Sequence, residues 1–135
     1  MSKNQHLQVG EISIDVLVAN NLIESFDSEV QAEGAGPGLH HHTKMDEIFY
    51  IQSGKFKINR GDEEIVATPG MTVHVPKNTP HGWKALEDRS RLLVTFIPGA
   101  NQLMYLKELG ELSKSGASWK EGITELQKKY DCIPL

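Results

Sequence analysis

What this 135-residue sequence lacks excludes several classes of protein. It has a single cysteine, Cys132, so no disulfide can form within the chain. No apolar run approaches the ~20 residues of a membrane-spanning helix, and the N-terminal segment leads into no apolar stretch of the secretory type. An excess of positive charge is also missing, since 14 Lys and Arg stand against 18 Asp and Glu. We therefore expect a cytoplasmic protein of one domain, with neither a nucleic-acid nor a membrane partner.

The chain divides into two zones of different periodicity. Between residues 10 and 98, short apolar runs alternate with turn residues at intervals of about ten residues, which is typical of a β-sandwich or barrel. The predicted strands cover 12–18, 22–30, 47–52, 55–59, 65–68, 71–75, 82–86 and 91–97. From residue 100 onward the spacing is helical. We expect residues 1–98 to form an all-β barrel and residues 99–135 a helical extension packed on the barrel or on a second subunit.

Two helices are predicted in the extension. Leucines at 103, 106, 109 and 112 recur at about helical spacing, although Gly110 weakens that helix. Ser118 and Glu121 have the spacing of a capping box at the start of a second helix. After this box, one helical face carries apolar side chains, at Trp119, Ile123, Leu126 and Tyr130.

The sequence has six histidines, and two of them are spaced like half of a metal chelate. On an extended strand His40 and His42 project from one face and His41 from the other. Glu47 comes five positions after His42, so strict alternation would place it on the opposite face. Residues 43–46 must therefore contain a turn or bulge if the carboxylate is to join the two imidazoles.

His81 is the best candidate for a fourth donor. It follows the stiff segment 76–80, which begins and ends with proline and could fix its position. Three imidazoles and one carboxylate suit a divalent transition metal such as Fe, Mn, Ni, Zn or Cu, and leave coordination positions open for a substrate or O₂. His74 could face either the interior or the outside.

The spacing of these residues resembles both conserved motifs of the cupin superfamily. The residues that carry the resemblance are Gly34, His40, His42, Glu47 and Gly54 in the first motif, and Gly70, Pro76 and His81 in the second. Asn78 stands where the family usually has glycine, and Ala85 where it often has asparagine; neither change removes a ligand. The extension resembles that of small single-domain cupins described as quercetin-dioxygenase-like.

The resemblance implies a double-stranded β-helix, or jelly-roll barrel, with a metal inside it. The implied ligands are His40, His42, Glu47 and His81, which are the same residues that strand parity and charge select. Small cupins are commonly dimers. Because Ile48 and Tyr50 are apolar residues on the outer face of their strand, we expect that face to be covered by the helices or in a homodimer.

An apolar pocket is predicted beside the metal. If Glu47 and His81 point inward, period two brings Phe49 and Trp83 inward with them, as aromatic walls that would bind a small aromatic or enolic substrate. The alternative is that these two rings are ordinary core packing. No convincing general base or substrate-binding arginine is evident, so catalytic residues beyond the metal ligands are not identified.

Three functions are compatible with these residues. The first is a metal-dependent oxygenase of the dioxygenase kind, or an isomerase, acting on a small organic molecule. The second is a non-catalytic module that binds a small ligand. The third is a purely structural barrel. The fold does not decide between them.

Overall fold

The computed structural model describes residues 4–115 and 119–135, which form eleven strands and two helices. The strands are β1 (Gln5–Val9), β2 (Ile12–Ala19), β3 (Glu24–Val30), β4 (His40–His41), β5 (Asp46–Ser53), β6 (Phe56–Arg60), β7 (Glu63–Ala67), β8 (Thr72–Val75), β9 (His81–Ala85), β10 (Ser90–Ile97) and β11 (Ile133–Pro134). The helices are α1 (Gln102–Ser115) and α2 (Trp119–Lys129). The predicted strands all form, within two residues of their expected ends. Strand β4 was expected only as an extended segment around His40 and His42, and strands β1 and β11 were not predicted.

Two antiparallel sheets make up the β-structure. One has the order β1-β2-β3-β10-β5-β8, and the other has the order β11-β4-β9-β6-β7. The core between them is built from alternate residues of the long strands, such as Phe26, Phe49, Phe56 and Leu92, each at most 1% exposed. The expected all-β architecture with C-terminal helices is confirmed.

Strand β5 shows how the period of two sorts its side chains. Glu47, Phe49 and Ile51 are buried on the inner face, whereas Tyr50 on the outer face is 44% exposed. The same rule turns His81 and Trp83 of β9 inward. Glu47 and His81, near the first residues of β5 and β9, therefore form a polar pair. The inner face of the two strands is otherwise apolar.

The glycine-rich segment before β4 runs alongside β9. Ala35 and Pro37 accept main-chain hydrogen bonds from Ala85 and Trp83. Gly36 has a positive φ of 153°, and a Cβ placed on it would collide with the carbonyl oxygen of Trp83. Only glycine permits this close approach, which delivers the chain to β4 in register with β9.

The C-terminal residues pack on the β-structure at two places. Helix α1 lies against β1, where the missing side chain of Gly110 allows close contact with the carbonyl of Gln8. Strand β11 pairs with β4. Helix α1 thus contacts β1, α2 contacts α1 and β11, and Tyr50 stays exposed. The capping-box residue Ser118 lies outside the described residues. Neither helix, among the residues described, is long and apolar enough to cross a membrane.

A buried carboxylate fixes the start of α1. Glu24, 3% exposed, accepts hydrogen bonds from three main-chain N–H groups at this helix terminus. They belong to Ala100, Gln102 and Leu103, at 2.8, 3.0 and 2.8 Å. These N–H groups have no partner within the helix, and the negative charge is favourable beside the positive end of the helix dipole.

We expect Glu24→Gln to lower the free energy of unfolding by about 1–3 kcal/mol, because the amide cannot accept from all three N–H groups. Urea denaturation measures the change. The control is Glu87→Gln, which removes an exposed carboxylate 3.8 Å from Lys55 Nζ. It should change stability by about 0.5 kcal/mol or less. Equal effects of the two substitutions would contradict the proposed helix anchor.

Cys132 belongs to a small second core at the C-terminal end. It is 5% exposed and packs with Tyr105 and Leu109 of α1. Burial raises the pKa of its thiol to about 11, and a hydrogen bond with Tyr105 offsets only part of this effect. The folded chain therefore favours the neutral thiol. The associated stabilisation is present below the ordinary pKa of about 9 and is lost as the pH rises towards 11.

At pH 8 we expect the thiol of native Cys132 to react with a disulfide reagent about a hundredfold more slowly than in the urea-unfolded chain, because burial suppresses the thiolate. Absorbance of the released reagent follows the reaction, and Cys132→Ser gives the background. A native rate close to that of the unfolded chain would show that this core opens readily.

Candidate metal centre

Four potential metal ligands meet between the two sheets. His40 lies on β4, opposite His81 of β9 in the strand register, and His42 follows directly after β4. Glu47 reaches them from β5 in the other sheet. All four are buried, and one ligand atom from each lies within 4.8 Å of the others. The structure thus brings together the four residues that the sequence indicates.

The bend that turns Glu47 to the same side as His42 lies where the sequence predicts it, within residues 43–46. The chain bends at Thr43 and Lys44 before β5 begins at Asp46. Met45, in the same connection, is 1% exposed and anchors it to the core. Glu47 consequently faces the imidazoles, as the sequence requires.

Each imidazole of the cluster is oriented by a main-chain carbonyl group. The contacts are His40 Nδ1 to Gly38 O at 2.7 Å, His42 Nδ1 to Asp131 O at 2.7 Å, and His81 Nδ1 to Thr79 O at 2.9 Å. A carbonyl oxygen only accepts, so each Nδ1 carries the proton and donates it. In the neutral form the Nε2 atom then bears the lone pair, as a metal-ligating histidine requires.

The Nε2 atoms and Glu47 form a donor set that is incomplete by itself. Glu47 Oε1 lies 2.8 Å from His81 Nε2 and 3.3 Å from His42 Nε2. The second contact lacks hydrogen-bond geometry, and His42 Nε2 is buried with no hydrogen-bond partner among the described residues. A buried polar atom without a partner is costly. A cation among these atoms would satisfy it, so the residues present fit a metal ion.

Electrostatics favour the same assignment. Burial raises the pKa of Glu47, but contacts with His42 and His81 lower it more strongly and hold it at about 2. Burial and the neighbouring His81 lower the pKa of His40 to about 4. Near neutral pH the cluster therefore contains a carboxylate anion and a neutral imidazole. Burial lowers the pKa of His81, but the hydrogen bond and charge of Glu47, together with the contact to Thr79 O, have the larger combined effect and raise it.

Aromatic rings surround the cluster. Phe96 of β10 stands edge-on to the His42 ring at 5.7 Å, a contact that the sequence did not indicate. Phe49 lies 6.4 Å from the His81 ring and is fully buried. It packs edge-on against Trp83, which is 9% exposed. Phe49 and Trp83 are thus both members of the core, and their predicted role in substrate binding stays a prediction.

Two cavities lie outside the donor cluster. The first, of about 290 Å³, lies between the glycine-rich segment and sheet residues that include Lys57 and Trp83. The second, of about 690 Å³, is bounded by Lys44, Met104 and the segments 98–101 and 129–131. None of the four donors lines either cavity.

The other histidines are not part of the cluster. His74 is half exposed and contacts the carboxylate of Asp46 through Nε2 at 2.9 Å, so it faces outward. His41 is partly buried and pairs with Ile133 of β11 in the strand register. The residue that sequence reasoning missed is Asp131, whose carbonyl orients His42. The only signal for it was an aspartate two residues after the last residue of α2, in the region where a helix often ends in the left-handed conformation.

Comparison with known proteins identifies the family. A family model of the cupin domain matches residues 27–98, more than half of the chain. The chain belongs to the cupin family, and its two sheets form a jelly-roll, or double-stranded β-helix. The expected fold is thereby confirmed.

Curated relatives match only part of the chain. Over 60 residues it is 30% identical to quercetin 2,3-dioxygenase from Bacillus subtilis (strain 168), covering 44% of this chain and 18% of the relative. Over 67 residues it is 34% identical to the pectin degradation protein KdgF from Dickeya dadantii (strain 3937), covering 50% of this chain and 61% of the relative. The matches thus span less than two thirds of either relative.

A solved structure supports the fold. KdgF from a Halomonas species superposes with a TM-score of 0.69, at 22% identity, over 76% of this chain and 98% of that chain. At this level of identity, the likeness concerns the fold alone. The family and the buried cluster together show a cupin with a site that could bind a metal.

Proposed function

We propose that the protein is a mononuclear metal-binding cupin in which His40, His42, Glu47 and His81 hold one divalent transition metal ion. The observation that carries this proposal is the shared orientation of the three imidazoles. Each is held through Nδ1 by a carbonyl oxygen, which leaves the Nε2 atoms beside the Glu47 carboxylate. Imidazole and carboxylate donors suit Fe, Mn, Ni, Zn and Cu.

The reaction we propose is that of a metal-dependent oxygenase, of the dioxygenase kind, on a small aromatic or enolic substrate. A bound metal ion would supply Lewis-acid or redox chemistry at its open coordination positions. The chain supplies a fixed anion in Glu47 and an apolar wall in Phe49 and Phe96, which limits access of water. The partial match to quercetin 2,3-dioxygenase supports this choice.

A metal-dependent isomerase or a ligand-binding module is the alternative. The match to KdgF, a pectin degradation protein, covers more of this chain than the match to the dioxygenase. The tight packing of Phe49 and Trp83 also favours a smaller or non-aromatic ligand. The experiments below separate these functions.

We further propose that this chain is a cytoplasmic homodimer, with residues 1–98 as the barrel and 99–135 as its extension. The support for a dimer is the outer face of β5, where Tyr50 is 44% exposed and is not covered by α1 or α2.

Protein purified without a metal-affinity tag should contain about one transition metal ion per chain, as measured by elemental mass spectrometry. In His40→Ala/His42→Ala the metal content should fall to background, because two of the four donors are gone. Glu47→Gln tests the same site with a nearly isosteric change. The control is His6→Ala, which removes an exposed histidine whose ring contacts the carboxylate of Asp15, away from the cluster.

Unchanged metal content and unchanged stability in the double variant would contradict a metal site at this cluster and leave a purely structural barrel. Loss of metal from His6→Ala as well would point to adventitious binding at the surface.

Anaerobically purified protein loaded with Fe(II), Mn(II) or Ni(II) should consume O₂ when given a flavonol, a β-diketone or an enediol, in step with loss of the substrate. An oxygen electrode and chromatography follow the two quantities. His40→Ala/His42→Ala is the matched control and should be inactive. Product formation without O₂ would favour the isomerase, and a thermal shift without any product would favour the binding module.

A further inference from the structure

The residue that orients His42 comes from the far end of the chain. His42 Nδ1 donates to the carbonyl oxygen of Asp131 at 2.7 Å, across a separation of 89 residues. The carbonyl groups that orient His40 and His81 are only two residues from their histidines. Of the three imidazoles, His42 alone therefore depends on a long-range contact for its orientation.

The side chain of Asp131 holds this carbonyl in place. Its Oδ2 accepts from the main-chain N–H groups of Thr43 and Lys44, both at 2.9 Å. Its Oδ1 accepts from the hydroxyl of Thr43 at 2.8 Å. The Asp131 carboxylate thus holds the two residues after His42, while the main-chain carbonyl of Asp131 holds the imidazole. A ring and its adjoining backbone are fixed by one residue.

The local backbone also suits this role. Asp131 has a φ of 59°, and Cys132 donates a main-chain hydrogen bond back to Gln127 O at the end of α2. This left-handed helix terminus turns the Asp131 carbonyl away from the helix and towards His42. Tyr130 O accepts from the buried side chain of Gln102, which ties the same turn to α1.

We propose that Asp131 is a positioning residue for the metal centre, and that the C-terminal segment is part of that centre. The inference rests on the proposed metal-binding function. Without Asp131 O, the buried Nδ1 of His42 loses its acceptor, and the ring is free to rotate and direct the wrong nitrogen inward. Mutation of a hydrogen-bond partner of this kind typically lowers metal affinity 10–100-fold.

The test compares the wild-type chain with Asp131→Asn, using Zn²⁺ and Co²⁺ alone as probes. Asparagine tolerates a positive φ as aspartate does, but it has no negative charge and only one acceptor oxygen. It therefore cannot accept all three hydrogen bonds, and those it keeps are weaker than bonds to a carboxylate. The matched control is Asp88→Asn. The Asp88 carboxylate also accepts a hydrogen bond from a main-chain N–H, that of Glu33. Asp88 lies after the last residue of β9, whereas His81 is the first residue of that strand.

We expect Asp131→Asn to weaken Zn²⁺ binding about tenfold or more in competition titrations. The visible absorption spectrum of the Co²⁺ complex should also change, because the His42 ring is no longer fixed. Asp88→Asn should match the wild type in both measurements. Equal affinities and spectra for wild type, Asp88→Asn and Asp131→Asn would overturn the inference while leaving the metal site intact.

Two further arms cover misfolding and absence of metal binding. If Asp131→Asn does not fold, Thr43→Val removes the hydroxyl contact alone and should weaken Zn²⁺ binding in the same direction; an unchanged affinity would overturn the inference. If the wild type binds neither ion, the proposed function fails. In that case ¹⁵N NMR of the metal-free imidazoles decides whether Asp131 fixes the His42 tautomer, and an unchanged Nδ1–H signal in the variant would exclude it.

Discussion

The structure depends on how a buried carboxylate is accommodated between two sheets. Glu47 is 4% exposed, and a carboxylate in such a place must be paired or neutralised. Its neighbours are imidazoles from the opposite sheet, and contact with His42 and His81 keeps it ionised. The two sheets are therefore held in one relative position by a polar contact as well as by the apolar core. A shift of either sheet would leave the charge without partners.

The three imidazoles in turn depend on backbone carbonyl groups for their orientation. For His40 and His81 these groups lie within the loops that lead into β4 and β9, so local chain geometry determines the tautomer. The segment before His81 is short and begins and ends with proline, whereas the glycine-rich segment before His40 is held by main-chain hydrogen bonds to β9. Both histidines can be oriented as soon as β4 and β9 pair. His42 differs, because its partner arrives only when the C-terminal segment has docked.

Much of the fold and the site could be predicted from the sequence because their signals are local. The alternation of side chains along a strand predicted which residues of β5 and β9 point inward. The same alternation correctly predicted a bend before Glu47. Strands β1 and β11 escaped detection since they are short edge strands defined by their partners, β2 and β4, and not by their own pattern. Asp131 was missed for the same reason, as its role consists entirely of contacts with residues 42–44.

Packing explains why the pocket was harder to predict than the cluster of candidate donors. Alternation places Phe49 and Trp83 inside, but it does not say whether space remains between them. In the structure the two rings meet edge-on, and Trp83 also contacts Phe56. Residue type and face thus indicate which candidate donors come together, whereas the volume of a cavity depends on every side chain around it.

The docking of the C-terminal segment links the proposed metal site to the stability of the C-terminal segment itself. Strand β11 is two residues long and contributes little by itself. The contacts of Asp131 with His42, Thr43 and Lys44 strengthen the same junction. A metal ion bound through His42 Nε2 would favour the oriented ring, and with it the docked segment. By reciprocity, anything that displaces this segment would weaken metal binding by the same factor. We therefore expect the docking of the C-terminal segment to affect how strongly a metal ion binds between the two sheets.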